Sequence, residues 1–97
     1  MIIGGVHVPA PTVDPEMRSV AQIAPTDTYR PRDRVWVFRN AAWRSGVIES
    51  VSERAAMVTY RPTPDRGTGV DTVTARYVIP RAEEDPLLDQ PSLRRRA

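Results

Sequence analysis

The chain predicts an all-β fold, a small five-stranded barrel over residues 29–81. Three observations point there. Residues 34–60 hold three short runs in which valines alternate with rings or polar side chains. Tight polar turns join those runs, and two further brief runs follow at 70–74 and 78–80. Short strands at such close spacing suit a small barrel, an architecture that mostly binds rather than transforms.

Each element has its own signal. Arg32-Asp33 reads as a turn feeding a first strand, Val35 to Phe38. Alternation there puts Val35 and Val37 on one face and Trp36 and Phe38 on the other. Asn40-Ala41-Ala42 is the next turn. Trp43 to Val51 is a long second strand, with Gly46 where the barrel bends sharply or is approached closely. Ser52-Glu53-Arg54 turns the chain into a third strand, Ala55 to Arg61. Residues 62–69 form a loop rich in proline and glycine. Val70 to Thr74 is the fourth strand. Ala75-Arg76-Tyr77 is one helical turn ahead of a brief fifth strand, Val78-Ile79-Pro80.

The ends read differently. Residues 1–28 form a loosely organised arm, broken by prolines at 9, 11, 15 and 25. Ile2, Ile3, Val6 and Val8 suit a short strand along a barrel edge. Asp14-Pro15-Glu16 is a helix start, with Asp as cap and Pro in the first turn. A helix there runs about two turns and puts Met17, Val20 and Ala21 on one face. Residues 82–97, acidic and then arginine-rich, are expected to be a disordered tail.

Composition sets the bounds. The 97 residues make at most one domain, and a folded unit of about 50–60 residues buries only roughly 60% of its unfolded surface. A deep, dry active site has little room. Cysteine is absent, which removes disulfides, thiolate metal sites and cysteine chemistry. The first residues lack a basic leader, and their apolar run is broken by glycine and His7. We therefore expect no secretory signal and no membrane span, and a cytoplasmic protein.

All fourteen basic residues are arginine. Arginine suits phosphates and planar anions; a GC-rich codon bias produces the same pattern along with abundant Ala, Pro and Val. Both explanations stand at this point. The charge is unevenly spread: residues 29–81 hold ten arginines against Asp33, Glu49, Glu53, Asp65 and Asp71. Both flanking segments are net negative. The folded part is thus the basic part, which favours an acidic partner.

The run DRVWVFRNAAWRSGVIESVSERAAMVTYRP, a loop, and then DTVTARYVIPR together resemble the SH3-like small barrels of the Tudor and agenet type. Three features are shared across residues 33–81. A Val-Trp-Val strand follows an Asp-containing turn; a Trp just past the first hairpin leads into a Gly-Val strand; one helical turn precedes the last strand. The resemblance implies an SH3-like five-stranded barrel. It also implies a cage for methylated Arg or Lys, with Phe38, Trp43 and Tyr60 near the matching positions. Cation–π contacts in such a cage contribute about 0.5–2 kcal/mol. The further aromatic that the family carries after the third strand is replaced here by Pro62-Thr-Pro-Asp65. The plain alternative is that the rings cover the core of a domain too small to bury them fully.

Two candidate surfaces follow. One is an aromatic groove of Trp36, Phe38, Trp43 and Tyr60. The other is a basic face of Arg39, Arg44, Arg61 and Arg66 beside Trp43 and Tyr60; arginines interleaved with rings hold phosphates and stack bases. Their alternative role is solvated surface charge. Arg66-Gly-Thr-Gly69 lacks the Lys-Ser/Thr and the helix of a phosphate loop and reads as a plain hairpin loop. His7 has no nearby metal-ligating or catalytic partner, and Arg94–Arg96 lies in a net-negative tail. No nucleophile–base pair assembles, so no enzyme activity, metal or cofactor is expected. The expected function is a non-catalytic protein–protein adaptor acting through the aromatic and basic surface. The alternative is a nucleic-acid-binding module using the arginines beside Trp43 and Tyr60.

Overall fold

The structure, a computed structural model, describes residues 10–62 and 67–82. The fold is all-β. Five strands, β1 (Arg34–Arg39), β2 (Ala42–Val51), β3 (Ala56–Tyr60), β4 (Gly69–Val73) and β5 (Val78–Pro80), form one antiparallel sheet in the order β4-β3-β2-β1-β5. The helical turn Ala75–Tyr77 stands directly before β5, where the sequence puts it. Each expected strand is present, with ends shifted by a residue or so.

Pairing fixes which residues share a face. Val35 sits opposite Gly46 and Pro80, Val37 opposite Arg44 and Val78, and Ile48 opposite Val58. Val73 pairs with Ala56 on the same face. These residues make one buried cluster with Tyr29, against which Tyr60, Tyr77 and Val51 pack. Val73 and Val78 belong to strands at opposite ends of the sheet, so the sheet must curl around the valines to bring them together. Each fully buried valine contributes about 1.5–3 kcal/mol.

No β4–β5 pairing closes the ring among the described residues; the sheet curls but stays open. A guanidinium spans one gap instead. Arg39, at the end of β1, donates through Nε to Asp71 at 2.6 Å and through Nη2 to the Thr72 carbonyl at 3.1 Å, both on β4.

Two local devices shape the curl. Gly46 is a point of close approach: a Cβ there would lie 2.9 Å from Val37 Cγ2 and 3.1 Å from the Thr59 carbonyl. The bulge is not at Gly46 but between Ile48 and Ser50, which leaves Glu49 as the extra residue of β2. The β1–β2 turn needs left-handed backbone at both central positions, Asn40 (φ 54°) and Ala41 (φ 63°), as primed hairpin turns do.

The arm departs most from expectation. No two-turn helix forms. Pro15–Met17 and Val20–Gln22 are separate 3-10 turns, parted by extended backbone at Arg18 (ψ 136°) and Ser19 (ψ 156°). Asp14 does cap the first turn, accepting from the Glu16 N–H at 2.9 Å. Met17 and Val20 point outward, 76% and 82% exposed. The part of the arm described here is not loose; it lies against the sheet. Thr26, 1% exposed, donates to the Ser52 carbonyl at 2.6 Å, and Tyr29 enters the core. The strand expected in residues 2–8 and the tail beyond residue 82 lie outside the described residues, as does His7. No helix among the described residues is long and apolar enough to cross a membrane.

Candidate functional site

The aromatic side comes first. Phe38 pairs with Trp43 across β1–β2, and their rings meet edge to face at 5.2 Å. Trp36 pairs with Ser45 and Ile79 on that same face, opposite the valines. Tyr60 pairs with Gly46 and packs on the valine side. The four rings expected to line one groove therefore divide between two faces, and Phe38, Trp43 and Tyr60 do not form one cage. Alternation along the strands imposes this.

The rings are also covered. Trp43 is 5% exposed and Trp36 9%. The arm lies on Trp43: its indole N–H donates to the Val13 carbonyl at 2.8 Å, and the Arg18 guanidinium stands 5.9 Å from its ring centroid. Tyr77 stacks beside Phe38 at 6.4 Å and donates its hydroxyl to Glu16 at 2.5 Å. That bond to a carboxylate holds the Tyr77 phenol above its ordinary pKa.

Arg18 is the anchor of this seal. Its Nη1 donates to the carbonyls of Arg76 at 2.6 Å, Val78 at 3.0 Å and Ala75 at 3.4 Å, and its Nη2 to Gln22 at 2.9 Å. Arg76 answers by donating to the Pro15 carbonyl at 2.9 Å. Burial pulls the Arg18 guanidinium below its ordinary pKa. The break in the helix at Arg18 now has a reason: extended backbone there lets the side chain reach two carbonyls of the turn before β5 and one of β5 itself. The Val78 carbonyl belongs to an edge strand, and Pro80 on that strand has no N–H, so β5 offers a poor template for another strand.

Two arginines of the expected basic face brace the fold. Arg39 holds Asp71 and β4, and its bond keeps the Asp71 carboxyl below the usual aspartate range. Arg44 donates to the carbonyls of Arg39 at 3.2 Å and Asn40 at 3.2 Å, bracing the β1–β2 turn. Arg61 is half-buried, and Arg66 lies outside the described residues.

The turn that leads into β1 differs. Arg30, Arg32 and Arg34 are all exposed on the turn that leads into β1. The turn is stiff. Arg30 N–H donates to Asp33 Oδ2 at 2.8 Å, Asp33 N–H to the Arg30 carbonyl at 3.0 Å, and Arg32 N–H to the Ile48 carbonyl at 2.7 Å. Arg32 is held left-handed at φ 78°, a conformation that costs a non-glycine residue about 1–2 kcal/mol. Under this turn opens a cavity of about 540 Å³, walled by Tyr29, Arg32, Asp33, Arg34 and Arg81 among others. Arg81, 4% exposed, is fixed by bonds from Nε to the Val35 carbonyl at 3.0 Å and from Nη2 to the Gly46 carbonyl at 2.9 Å. Tyr29 is 8% exposed, and its hydroxyl has no hydrogen-bond partner among the described residues.

None of Tyr29, Arg32 or Arg81 was among the sequence candidates. The signal available was the alternation Tyr29-Arg-Pro-Arg-Asp-Arg34, basic residues crowded around a proline turn. Among the described residues no group of His, Cys, Asp or Glu is placed to hold a metal ion. No family model matches the chain, and no curated protein or solved structure matches it either.

Proposed function

We propose that the chain is a non-catalytic docking module, built like an SH3-like small barrel, that takes an acidic segment of a protein partner on the turn Arg30–Arg34. The strand order and the helical turn before β5 support the SH3-like reading. The aromatic side is a poor candidate for the contact because the arm already occupies it. The observation that carries the proposal is the stiff turn itself: alternating exposed arginines on a backbone sewn to β2, beside an open cavity. A rigid donor array loses little entropy on binding, and arginine meets carboxylates in bidentate fashion.

Fluorescence anisotropy with a labelled Glu-rich peptide, and in parallel with labelled DNA and RNA, tests this at about 50 and 200 mM salt. The peptide should bind, and Arg30→Ser with Arg34→Ser should weaken it about tenfold or more. Nucleic acid bound more tightly than the peptide, and weakened by Arg44→Ala or Arg61→Ala, would instead support the nucleic-acid reading.

A further inference from the structure

β4 ends the sheet, and among the described residues no strand pairs with its outer edge. An open strand edge is a template for another chain. At Thr72 that edge is already filled by side chains. The Thr72 N–H donates to Asp71 Oδ1 at 2.8 Å, and the Thr72 carbonyl accepts from Arg39 Nη2 at 3.1 Å. Arg39 Nε in turn holds the Asp71 carboxylate at 2.6 Å. One ion pair therefore occupies both backbone groups that Thr72 turns away from β3. Val70 differs. It stands opposite Thr59 as Thr72 stands opposite Met57, so the alternation of an antiparallel ladder turns its N–H and carbonyl outward too. No side chain caps them among the described residues, and Val70 is 62% exposed.

We propose that β4 is a self-complementary pairing edge, and that the Arg39–Asp71 pair guards it against a second copy of this chain. The occupant follows from the strand itself. With two copies antiparallel about an axis at Asp71, Val70 of each stands opposite Thr72 of the other. Both residues turn their backbone groups outward, so each such pair exchanges N–H···O bonds in both directions. The guard acts in two ways. While Arg39 and Asp71 occupy the Thr72 groups, an incoming Val70 finds neither donor nor acceptor. The same axis sets the two Asp71 residues directly opposite each other, where like charges repel. Charged side chains commonly protect open sheet edges; here they also seal the backbone.

Sedimentation velocity on the full chain at about 10 µM and 1 mM tests this. Wild type should keep its monomer mass of 10.9 kDa throughout. Arg39→Ala with Asp71→Ala should reach twice that mass at the higher concentration. Amide exchange at Val70 and Thr72 should then slow about tenfold or more. Adding Thr72→Pro should return the double variant to the monomer. Proline lacks the N–H that the pairing needs, and in the monomer that N–H points away from β3. Should the double variant fail to fold, Asp71→Thr alone must show the same dimer. It suits a strand, frees the Thr72 N–H, removes the facing charges and leaves Arg39 unanchored. Folded variants that stay monomeric, with Val70 and Thr72 exchanging freely, would overturn the guard. Slowed exchange in a monomer would mean that another segment of the chain fills the edge, and the second-copy assignment falls. A dimer that survives Thr72→Pro forms elsewhere and overturns the proposal as well.

Discussion

The arm and the turn before β1 contain similar residues used in opposite ways. On the arm side, arginines and aromatic groups are matched. Arg18 reaches carbonyls of Ala75, Arg76 and Val78, the Trp43 N–H has Val13, and Tyr77 has Glu16. On the turn side, Tyr29 is buried with no hydrogen-bond partner for its hydroxyl among the described residues, and a backbone is held left-handed. Satisfied polar groups hold a fold together; unsatisfied and strained ones persist where something else is to be bound. The comparison teaches that exposed chemistry in this chain is better read from what remains unmatched than from where aromatic residues cluster.

The largest effect should come from breaking the matched side. Arg18→Ala removes charged hydrogen bonds to several carbonyls at once, and charged bonds contribute about 1.5–3 kcal/mol each. Urea unfolding should show a loss of about 3 kcal/mol. Trp43 fluorescence should shift to the red as the arm lifts. An unshifted spectrum with full stability would mean the arm is not anchored there.

Gly46→Ala probes the sheet that both sides share. The new methyl would sit 2.9 Å from Val37 Cγ2 and 3.1 Å from a backbone oxygen. Overpacking of this kind costs about 2 kcal/mol, read as a lower urea midpoint with an unchanged slope.

A smaller, sharper contrast uses the left-handed residues. Ala41→Gly, at φ 63°, should stabilise the protein by about 1 kcal/mol and leave peptide binding alone. Arg32→Gly should stabilise comparably and abolish most binding. If both variants behave alike in the binding assay, the distinction between the two turns is lost.

The smallest effect is at Asp71. Its carboxyl is held below its ordinary value of 3.8, first by the bond from Arg39. A lowered folded value means the contribution is present above the unfolded value and is lost as pH falls through the folded one. Asp71 is 43% exposed, so solvent screening keeps the contribution under about 1 kcal/mol. Wild type should therefore lose slightly more stability than Asp71→Asn between neutral pH and pH 3.

The strands were legible because valine alternation and turn chemistry are local signals. Val35 and Val37 against Trp36 and Phe38 divide as alternation requires, and Ala75–Tyr77 forms its single turn. The arm was not legible. Nothing within residues 14–22 reveals that Arg18 will leave the helix pattern to reach carbonyls some sixty positions away. The covering of the aromatic side was hidden for a related reason: a sequence gives the face of a ring within its strand, but not the segment that lands on it. The cavity by the turn is lined by Tyr29, Arg32 and the distant Arg81, and only the basic crowding at Arg30–Arg34 hinted at it.

The most direct measurement follows the indole and turn signals together in one titration of the full chain with the Glu-rich peptide. The account predicts chemical-shift changes concentrated at Tyr29 to Arg34 and Arg81, with the Trp43 indole N–H unmoved. Movement of the Trp43 indole and of the Val13–Gln22 amides, with a silent Arg30–Arg34 turn, would contradict it.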